Sequence, residues 1–77
     1  PPLVAVSNTS GLAGIAHWIN NYYHLTDERR IDKNSELVKM VKDWVDKQYE
    51  DGRVTVLTDN ELVVEITDCC KKLNIVL

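Results

Sequence analysis

The sequence lacks several features that mark common classes of protein. It has no phenylalanine, only three glycines and two prolines, and no apolar run of the roughly 18 residues that a membrane-spanning helix needs. It also lacks a concentrated basic face, because 12 acidic and 9 basic side chains give a net charge of −3 and basic residues gather only in pairs, Arg29-Arg30 and Lys71-Lys72. Since Lys and Arg contacts to phosphate dominate nucleic-acid affinity, we expect neither a nucleic acid nor a membrane as a partner.

Cysteine is equally scarce, and its two copies, Cys69 and Cys70, are adjacent. A disulfide framework uses separated cysteines, and a bond between neighbours in a helix would violate the usual Cα spacing. We therefore expect two reduced thiols without a redox role, which is typical of a cytoplasmic protein. A thiol switch at this pair is a weaker alternative.

No complete catalytic or metal-binding set can be found in the sequence. The two histidines, His17 and His24, are seven residues apart, whereas a helical metal pair is usually four apart with a third ligand close by. A phosphate-cradling glycine loop, a nucleophile elbow and a zinc cysteine quartet are all missing. We therefore expect no metal or cofactor in this chain and no turnover by the chain alone.

The length of 77 residues allows one domain at most. A domain of this size buries only about 60% of the surface that its unfolded chain exposes, and its core supplies roughly 3–5 kcal/mol of net stability. Such a chain often depends on a neighbouring surface. Because the sequence does not begin with Met, we expect residues 1–77 to be a single helical domain taken from a larger protein.

The spacing of apolar residues predicts an all-α fold, a small three-helix domain with helices at about 10–24, 35–50 and 59–73. An extended lead-in covers residues 1–9, since its two prolines remove backbone donors, and a short extended connector covers 53–57. Trp18 is predicted on the flank of the first helix. The predicted inward-facing residues are Leu12, Ile15, Ala16, Ile19, Tyr22 and Tyr23 in the first helix, Leu37, Val38, Met40, Val41, Trp44, Val45 and Tyr49 in the second, and Leu62, Val63, Ile66, Cys69, Cys70 and Leu73 in the third.

Helix-capping residues support these boundaries. Asn34 or Ser35 can cap the second helix, and Gly52 stands where a helix end favours a residue that tolerates positive φ. The segment Thr58–Glu61 has the pattern of a capping box, with Thr at the cap and Glu three residues later. Asn74 can end the third helix.

The segment Ser10-Gly11-Leu12-Ala13-Gly14-Ile15-Ala16-His17 is rich in small residues at the start of a helix. Small side chains let another backbone or a ligand approach closely. His17 has two interpretations: a surface histidine without a special role, or a hydrogen-bonding or acid–base group that points from the first helix into a neighbouring site.

This segment resembles the run Ser-Gly-Lys-Gly-Gly-Val/Ile-Ala-Tyr of the 2-isopropylmalate synthases and their relatives, the homocitrate, citramalate and Re-type citrate synthases. The stretches Asp51–Thr55 and Asp59–Leu62 are similar to the family's glycine followed by Val-Thr-Pro-Glu-Glu-Leu, and Tyr23-His24-Leu25 is similar to its Tyr/His-Gly-Leu. The resemblance covers roughly residues 7–66. The sequence departs from the pattern where Leu12 replaces Lys, Ala13 replaces Gly and His17 replaces Tyr, which indicates a divergent branch.

The resemblance implies a function for the parent protein. Enzymes of this family, which serve amino-acid biosynthesis including that of leucine, condense acetyl-CoA with a 2-oxo acid, and a divalent metal held by a catalytic barrel polarises the oxo acid. The resembling segment is their helical linker, which reaches over the barrel of the same or the partner subunit of a homodimer. The resemblance thus implies that His17 assists the partner's active site and that Ser10 and Gly11 contact substrate there.

An alternative from another class stays open. The chain could be an autonomous three-helix protein-interaction module without a catalytic role, with a binding groove along the first or second helix. It would then bury most of its own apolar surface. The linker hypothesis predicts instead an apolar surface left exposed for a neighbouring body.

Overall fold

The computed structural model describes residues 5–77 and contains three α-helices within that range. Helix α1 spans Leu12–Tyr22, α2 spans Glu36–Glu50 and α3 spans Asp59–Leu73, and a short 3-10 helix, Asp27–Arg29, lies in the loop between α1 and α2. No β-strand occurs among the described residues. The all-α prediction is confirmed, and the bounds of α2 and α3 agree with the predicted ones to within one residue. Residues 1–4 of the predicted lead-in lie outside the described part.

Helix α2 is the central element, because it packs against both α1 and α3. Its inward residues Leu37, Val38, Val41 and Val45 are completely buried. The lead-in and the connector close one side of this core: Val6 and Leu57 are buried, and the Leu57 N–H donates to the Val6 carbonyl over 3.0 Å. The buried hydrophobic residues are Val6, Ile15, Ala16, Trp18, Ile19, Leu25, Leu37, Val38, Val41, Val45, Leu57, Leu62, Ile66, Cys69 and Cys70.

The aromatic residues of α1 correct one prediction. Trp18, predicted on the flank, is buried, whereas Tyr22, predicted inward, is 39% exposed. The two rings stack with centroids 4.7 Å apart and planes 10° apart. Trp18 therefore fills the core, and Tyr22 covers its outer edge.

Helix α1 is two residues shorter at each end than predicted. Gly11 is its N-cap and has no side chain to accept a capping hydrogen bond, while the Ser10 hydroxyl accepts from the Ser7 N–H at 3.0 Å in the preceding turn. At the other end His24 takes a positive φ of 55° and turns the chain out of the helix. The well-capped helices α2 and α3 keep their predicted starts.

All three helices end in the same way, with a left-handed residue and two reverse hydrogen bonds. After α1, the Leu25 and His24 N–H groups donate to the carbonyls of Asn20 and Asn21. Gly52 and Asn74 hold the corresponding positions after α2 and α3, with φ of 104° and 57°. Sequence patterns predict Gly and Asn at such positions, and histidine is also more frequent there than most residues with a Cβ.

A charged clamp fixes the start of α3. Thr58 and Glu61 form the predicted capping box, and Arg53 donates to the two carboxylate oxygens of Glu61 at 2.5 and 2.7 Å. Arg53 also donates to the carbonyls of Thr55 and Val56. The side-chain hydrogen bond from Arg53, followed by that from the Thr58 backbone, lowers the pKa of Glu61 to about 2. The connector is thereby tied to the helix that it precedes.

Candidate functional site

The small-residue segment forms an exposed face on the first half of α1. Gly11, Ala13 and His17 are exposed, and Ser10 and Gly14 are half-buried. Residues three and four apart lie on one side of a helix, so Ala13, Gly14 and His17 share one face, which we call the small-residue face. It is open to solvent in this structure, as the linker hypothesis requires.

Neither Gly14 on this face nor Gly11 just before it is required by steric contacts within the fold. A Cβ added to Gly11 would meet no atom within 4 Å, and one added to Gly14 would lie 3.8 Å from the Ser10 Cβ, an ordinary contact. Gly14 also lies inside a helix, where glycine is less favourable than alanine by roughly 0.5–1 kcal/mol. Gly14 therefore has no steric reason within the described residues to be glycine, whereas Gly11 stands at the helix N-cap, where glycine is a favoured residue.

His17 is held by a neighbour on the same helix. The Asn21 amide nitrogen lies 2.8 Å from His17 Nε2 and donates to the His17 carbonyl over 3.2 Å. The contact with the carbonyl fixes which end of the amide is the nitrogen, so Nε2 accepts from it. In the neutral ring the proton then stands on Nδ1, where it is free to donate to a bound group.

Asn20 is a positioning residue that sequence reasoning missed. It is 5% exposed, and its amide bonds both backbone groups of Ile31: Nδ2 donates to the carbonyl at 2.9 Å and Oδ1 accepts from the N–H at 2.7 Å. This pair anchors the loop before α2 against α1 and brings Arg30 close to His17. The signal in the sequence was an asparagine next to the apolar stripe, which periodicity alone does not distinguish from a surface residue.

Two open clefts flank His17, and the side chains of Asn20 and Arg30 line both. The first, of about 460 Å³, is also lined by Ala13, Ala16, Ile31, Asp32 and Lys33. The second, of about 230 Å³, is also lined by Asn21, His24, Leu25 and Thr26. The structure thus brings His17 together with an arginine that the sequence analysis did not single out. Ser10 and Gly11 line neither cleft.

Apolar surface is exposed elsewhere on the domain. An open groove of about 580 Å³ at the end of α3 is lined by Tyr23, Ile66, Thr67, Cys70, Lys71, Asn74, Ile75, Val76 and Leu77. Val54, Val56, Val64 and Val76 are each more than half exposed. These residues do not share one continuous face with His17, so any partner that covers all of them must contact several sides of the domain.

The cysteines offer little reactivity. Cys69 and Cys70 are free and buried, and the Cys69 thiol donates to the Glu65 carboxylate over 3.4 Å. Burial, followed by this hydrogen bond, raises the pKa of Cys69 to about 12, and burial also raises the pKa of Cys70. Since the thiolate is the reactive form, the structure gives no support to a thiol switch.

The described part of the chain contains neither a candidate metal site nor a membrane-spanning helix. Among residues 5–77, no group of three or more His, Cys, Asp and Glu side chains could hold a metal ion. None of the helices in the same range has the length and apolar character needed to cross a bilayer.

Comparison with known proteins identifies relatives in one group of enzymes. The chain is 52% identical over 62 residues, 80% of its length, to a protein of Clostridium kluyveri named citrate (Re)-synthase. It is 33% identical over 66 residues, 86% of its length, to a protein of Syntrophus aciditrophicus with the same name. It spans only 14% and 10% of these two proteins. No protein-family model and no solved structure matches the chain.

Re-type citrate synthases are among the enzymes that the sequence motifs resemble, so the broad resemblance is confirmed. The chain is thus a homologue of citrate (Re)-synthases, relatives of the 2-isopropylmalate synthases, over a short segment of those longer proteins.

Proposed function

We propose that this chain is the helical linker subdomain of a citrate (Re)-synthase-like enzyme and covers the active site of a catalytic barrel. The barrel belongs to the same subunit or to the partner in a homodimer, and the chain is inactive alone. The observation that carries the proposal is the small-residue face, whose glycine, Gly14, has no steric role within the described residues. The similarity of the chain to the two citrate (Re)-synthases indicates that the surface approaching this face belongs to an enzyme.

The name of the relatives defines the substrates of the proposed parent. Citrate is a six-carbon tricarboxylate, and condensation with acetyl-CoA supplies two of its carbons. The other substrate is then a four-carbon 2-oxo diacid, whose carbonyl carbon forms the new bond with the acetyl methyl carbon. Hydrolysis of the thioester releases CoA. Leucine biosynthesis, which the resemblance implied for other members of the family, is not part of this proposal.

His17 is the residue of this chain that we assign to the site. Its exposed ring, fixed by Asn21, presents Nδ1–H to the body that covers α1. There it can hydrogen-bond a carboxylate or the oxygen of the reacting carbonyl. Ser10 and Gly11 at the start of α1 lie one to two turns away, and we assign them contacts with substrate or with the barrel rim.

A divalent metal supplies Lewis-acid chemistry to the proposed parent. The described residues of this chain contain no cluster of potential ligands. We therefore assign the metal ligands to the barrel and no part of metal binding to this chain.

A chimera tests the proposal. The homologous segment of the C. kluyveri enzyme is replaced by this chain, and CoA release from acetyl-CoA is measured with a four-carbon 2-oxo diacid. We expect turnover close to that of the parent, a loss of at least about tenfold with His17→Ala, and no loss with Lys47→Ala, which removes an exposed side chain from α2. An inactive but folded chimera would contradict the linker proposal, and full activity of His17→Ala would remove the role of His17.

An autonomous interaction module is the less favoured function. Both relatives are named as enzymes and are much longer than the chain. The exposed valines differ from the few exposed apolar residues that this alternative predicts, and the open groove lies at the end of α3 rather than along α1 or α2.

A further inference from the structure

The smaller of the two clefts beside His17 has an unusual composition for a chain of net charge −3. Its lining contains a guanidinium from Arg30, two imidazoles from His17 and His24, and the polar side chains of Asn21 and Thr26. No described aspartate or glutamate lines it. The nearest acidic residues in sequence, Asp27 and Glu28, lie in the short 3-10 helix and are not part of the lining, and Asp32 lines the other cleft.

The donors of this cleft are not used by the fold. The side chains of His24, Thr26 and Arg30 make no hydrogen bond or ion pair with another of the described residues, so their donors are available to a ligand. His17 keeps Nδ1–H free because Asn21 occupies Nε2. The carbonyls of Ile19, Asn20 and Asn21 at the end of α1 already accept backbone hydrogen bonds. The C-terminal end of α1 still carries partial negative charge, so the positive charge of Arg30 has to outweigh it for an anion to bind.

His24 reaches the cleft through an unfavourable backbone conformation. Its φ of 55° is the left-handed geometry that glycine adopts without cost. Gly52 and Asn74 hold the equivalent positions after the other two helices, which shows that the fold itself asks only for a residue tolerant of positive φ. Since histidine is among the residues enriched at positive φ, the evidence for a function of His24 is its place in the lining of the cleft.

We propose that this cleft binds an oxyanion, a phosphate or carboxylate group, between Arg30, His24 and His17. Arg30 supplies a planar pair of donors suited to such a group, and the two imidazoles in the lining supply further N–H donors. The volume of about 230 Å³ admits one such group with its attached carbons rather than a whole cofactor. Asn20 keeps the cleft open by fixing the loop that carries Arg30.

The source of the group within the parent enzyme rests on the proposed function. A phosphate would come from acyl-CoA and a carboxylate from the oxo diacid or from citrate. Binding of the oxyanion itself does not depend on that function, because every residue of the cleft belongs to this chain.

The test is a titration of the 77-residue chain followed by NMR at constant ionic strength, with inorganic phosphate in one series and citrate in another. Saturable shifts at His17, His24 and Arg30, with a Kd on the order of 1 mM in at least one series, support the proposal. Tighter binding in the phosphate series points to acyl-CoA, and tighter binding of citrate points to the carboxylate substrate. Shifts that stay linear with concentration in both series overturn it.

Two adjacent arginines provide a matched control. Arg29 and Arg30 are both exposed, but only Arg30 lines the cleft. We expect Arg30→Gln to weaken binding about tenfold or more and Arg29→Gln less than about threefold. Equal weakening by both variants would mean that only the general charge matters and would overturn the site.

His24→Gly separates binding from stability. It removes one imidazole and relieves the positive φ, so the melting temperature should rise by about 4–8 °C while oxyanion binding weakens. Unchanged binding in this variant would remove His24 from the site. The titration uses this chain alone, so its failure leaves the linker proposal standing, and an inactive chimera leaves the oxyanion cleft standing.

Discussion

At the scale of single residues, Gly14 shows most clearly that the chain is not optimised for its own stability. Its position is helical, and a Cβ there would make only an ordinary contact with Ser10. We expect Gly14→Ala to raise the free energy of unfolding by about 0.5 kcal/mol, or the melting temperature by about 2–4 °C. Thermal unfolding followed by circular dichroism measures this. A lower melting temperature would show that the glycine is needed inside the fold.

Asn20 is expected to contribute far more to stability than its exposed neighbour Asn21. Asn20→Ala leaves the Ile31 N–H and carbonyl without their partners, which costs about 1–3 kcal/mol for a buried group. Asn21→Ala is the matched control, and its effect should lie within about 0.5 kcal/mol. Urea unfolding of the two variants measures the difference. Equal effects would mean that the loop before α2 does not depend on this anchor.

The thiols of Cys69 and Cys70 should react slowly in the folded chain. Burial disfavours the thiolate at both and raises the pKa of Cys69 to about 12. We expect modification by a disulfide reagent at pH 8 to be at least about tenfold slower than in urea. Equal rates in the two conditions would reopen the thiol-switch alternative.

At the scale of elements, the ion pair between Arg53 and Glu61 links stability to pH. The pKa of Glu61 falls from its ordinary value of 4.5 to about 2, so folding favours the ionised carboxylate. The stabilisation is complete above about pH 4.5 and is lost as the pH falls towards 2. Glu61→Gln should therefore lose less stability than the wild type between pH 6 and pH 3. Urea unfolding at the two pH values measures this loss.

The control for this prediction is Glu50→Gln. Glu50 is exposed at the end of α2 and makes no ion pair within the described part of the chain. Glu50→Gln should lose as much free energy of unfolding between pH 6 and pH 3 as the wild type. If Glu61→Gln also loses as much, the clamp does not stabilise the start of α3.

The sequence predicts the bounds of some helices better than those of others, and the capping residues explain the difference. Helices α2 and α3 begin at Ser35 and Thr58, whose side chains accept from the backbone of the first turn, so local chemistry decides their bounds. Helix α1 has neither a side-chain cap nor an acidic first turn, and its length is set by the turn at Ser7–Ser10 and by His24. Local patterns carry little information about such boundaries.

The candidate site was only partly predictable for a related reason. The exposure of His17 follows from its place opposite the apolar stripe of α1. The approach of Arg30 depends on the Asn20–Ile31 pair, which joins residues eleven positions apart through a loop. Trp18, three residues after Ile15, lies at the edge of the apolar stripe, and only the packing of the other elements decides that it is buried. Contacts that loops create cannot be read from the period of one helix.

At the scale of the whole molecule, the chain folds as one compact body and still leaves surfaces uncovered. Its radius of gyration is 11.8 Å, close to the roughly 11.5 Å expected for a globular domain of this length. The small-residue face and the apolar groove at the end of α3 nevertheless remain open. The core therefore packs without them, and under the proposed linker function both surfaces are available to a neighbouring body.

The isolated chain should therefore be folded but inactive. We expect no CoA release when it is incubated with acetyl-CoA and a four-carbon 2-oxo diacid, because it holds one candidate acid–base group and no complete catalytic set. A thiol assay with the Clostridium kluyveri enzyme as positive control measures this. Turnover by the chain alone would contradict its assignment as a linker.

The most direct test of the central claim is the effect of Gly14→Ala on CoA release by the chimeric synthase, with Lys39→Ala on the exposed side of α2 as control. The added methyl group stabilises the free chain but obstructs the close approach of a barrel. We predict a loss of at least about tenfold in turnover for Gly14→Ala and none for Lys39→Ala. Full turnover with Gly14→Ala would show that nothing packs against the small-residue face, and the account would be wrong.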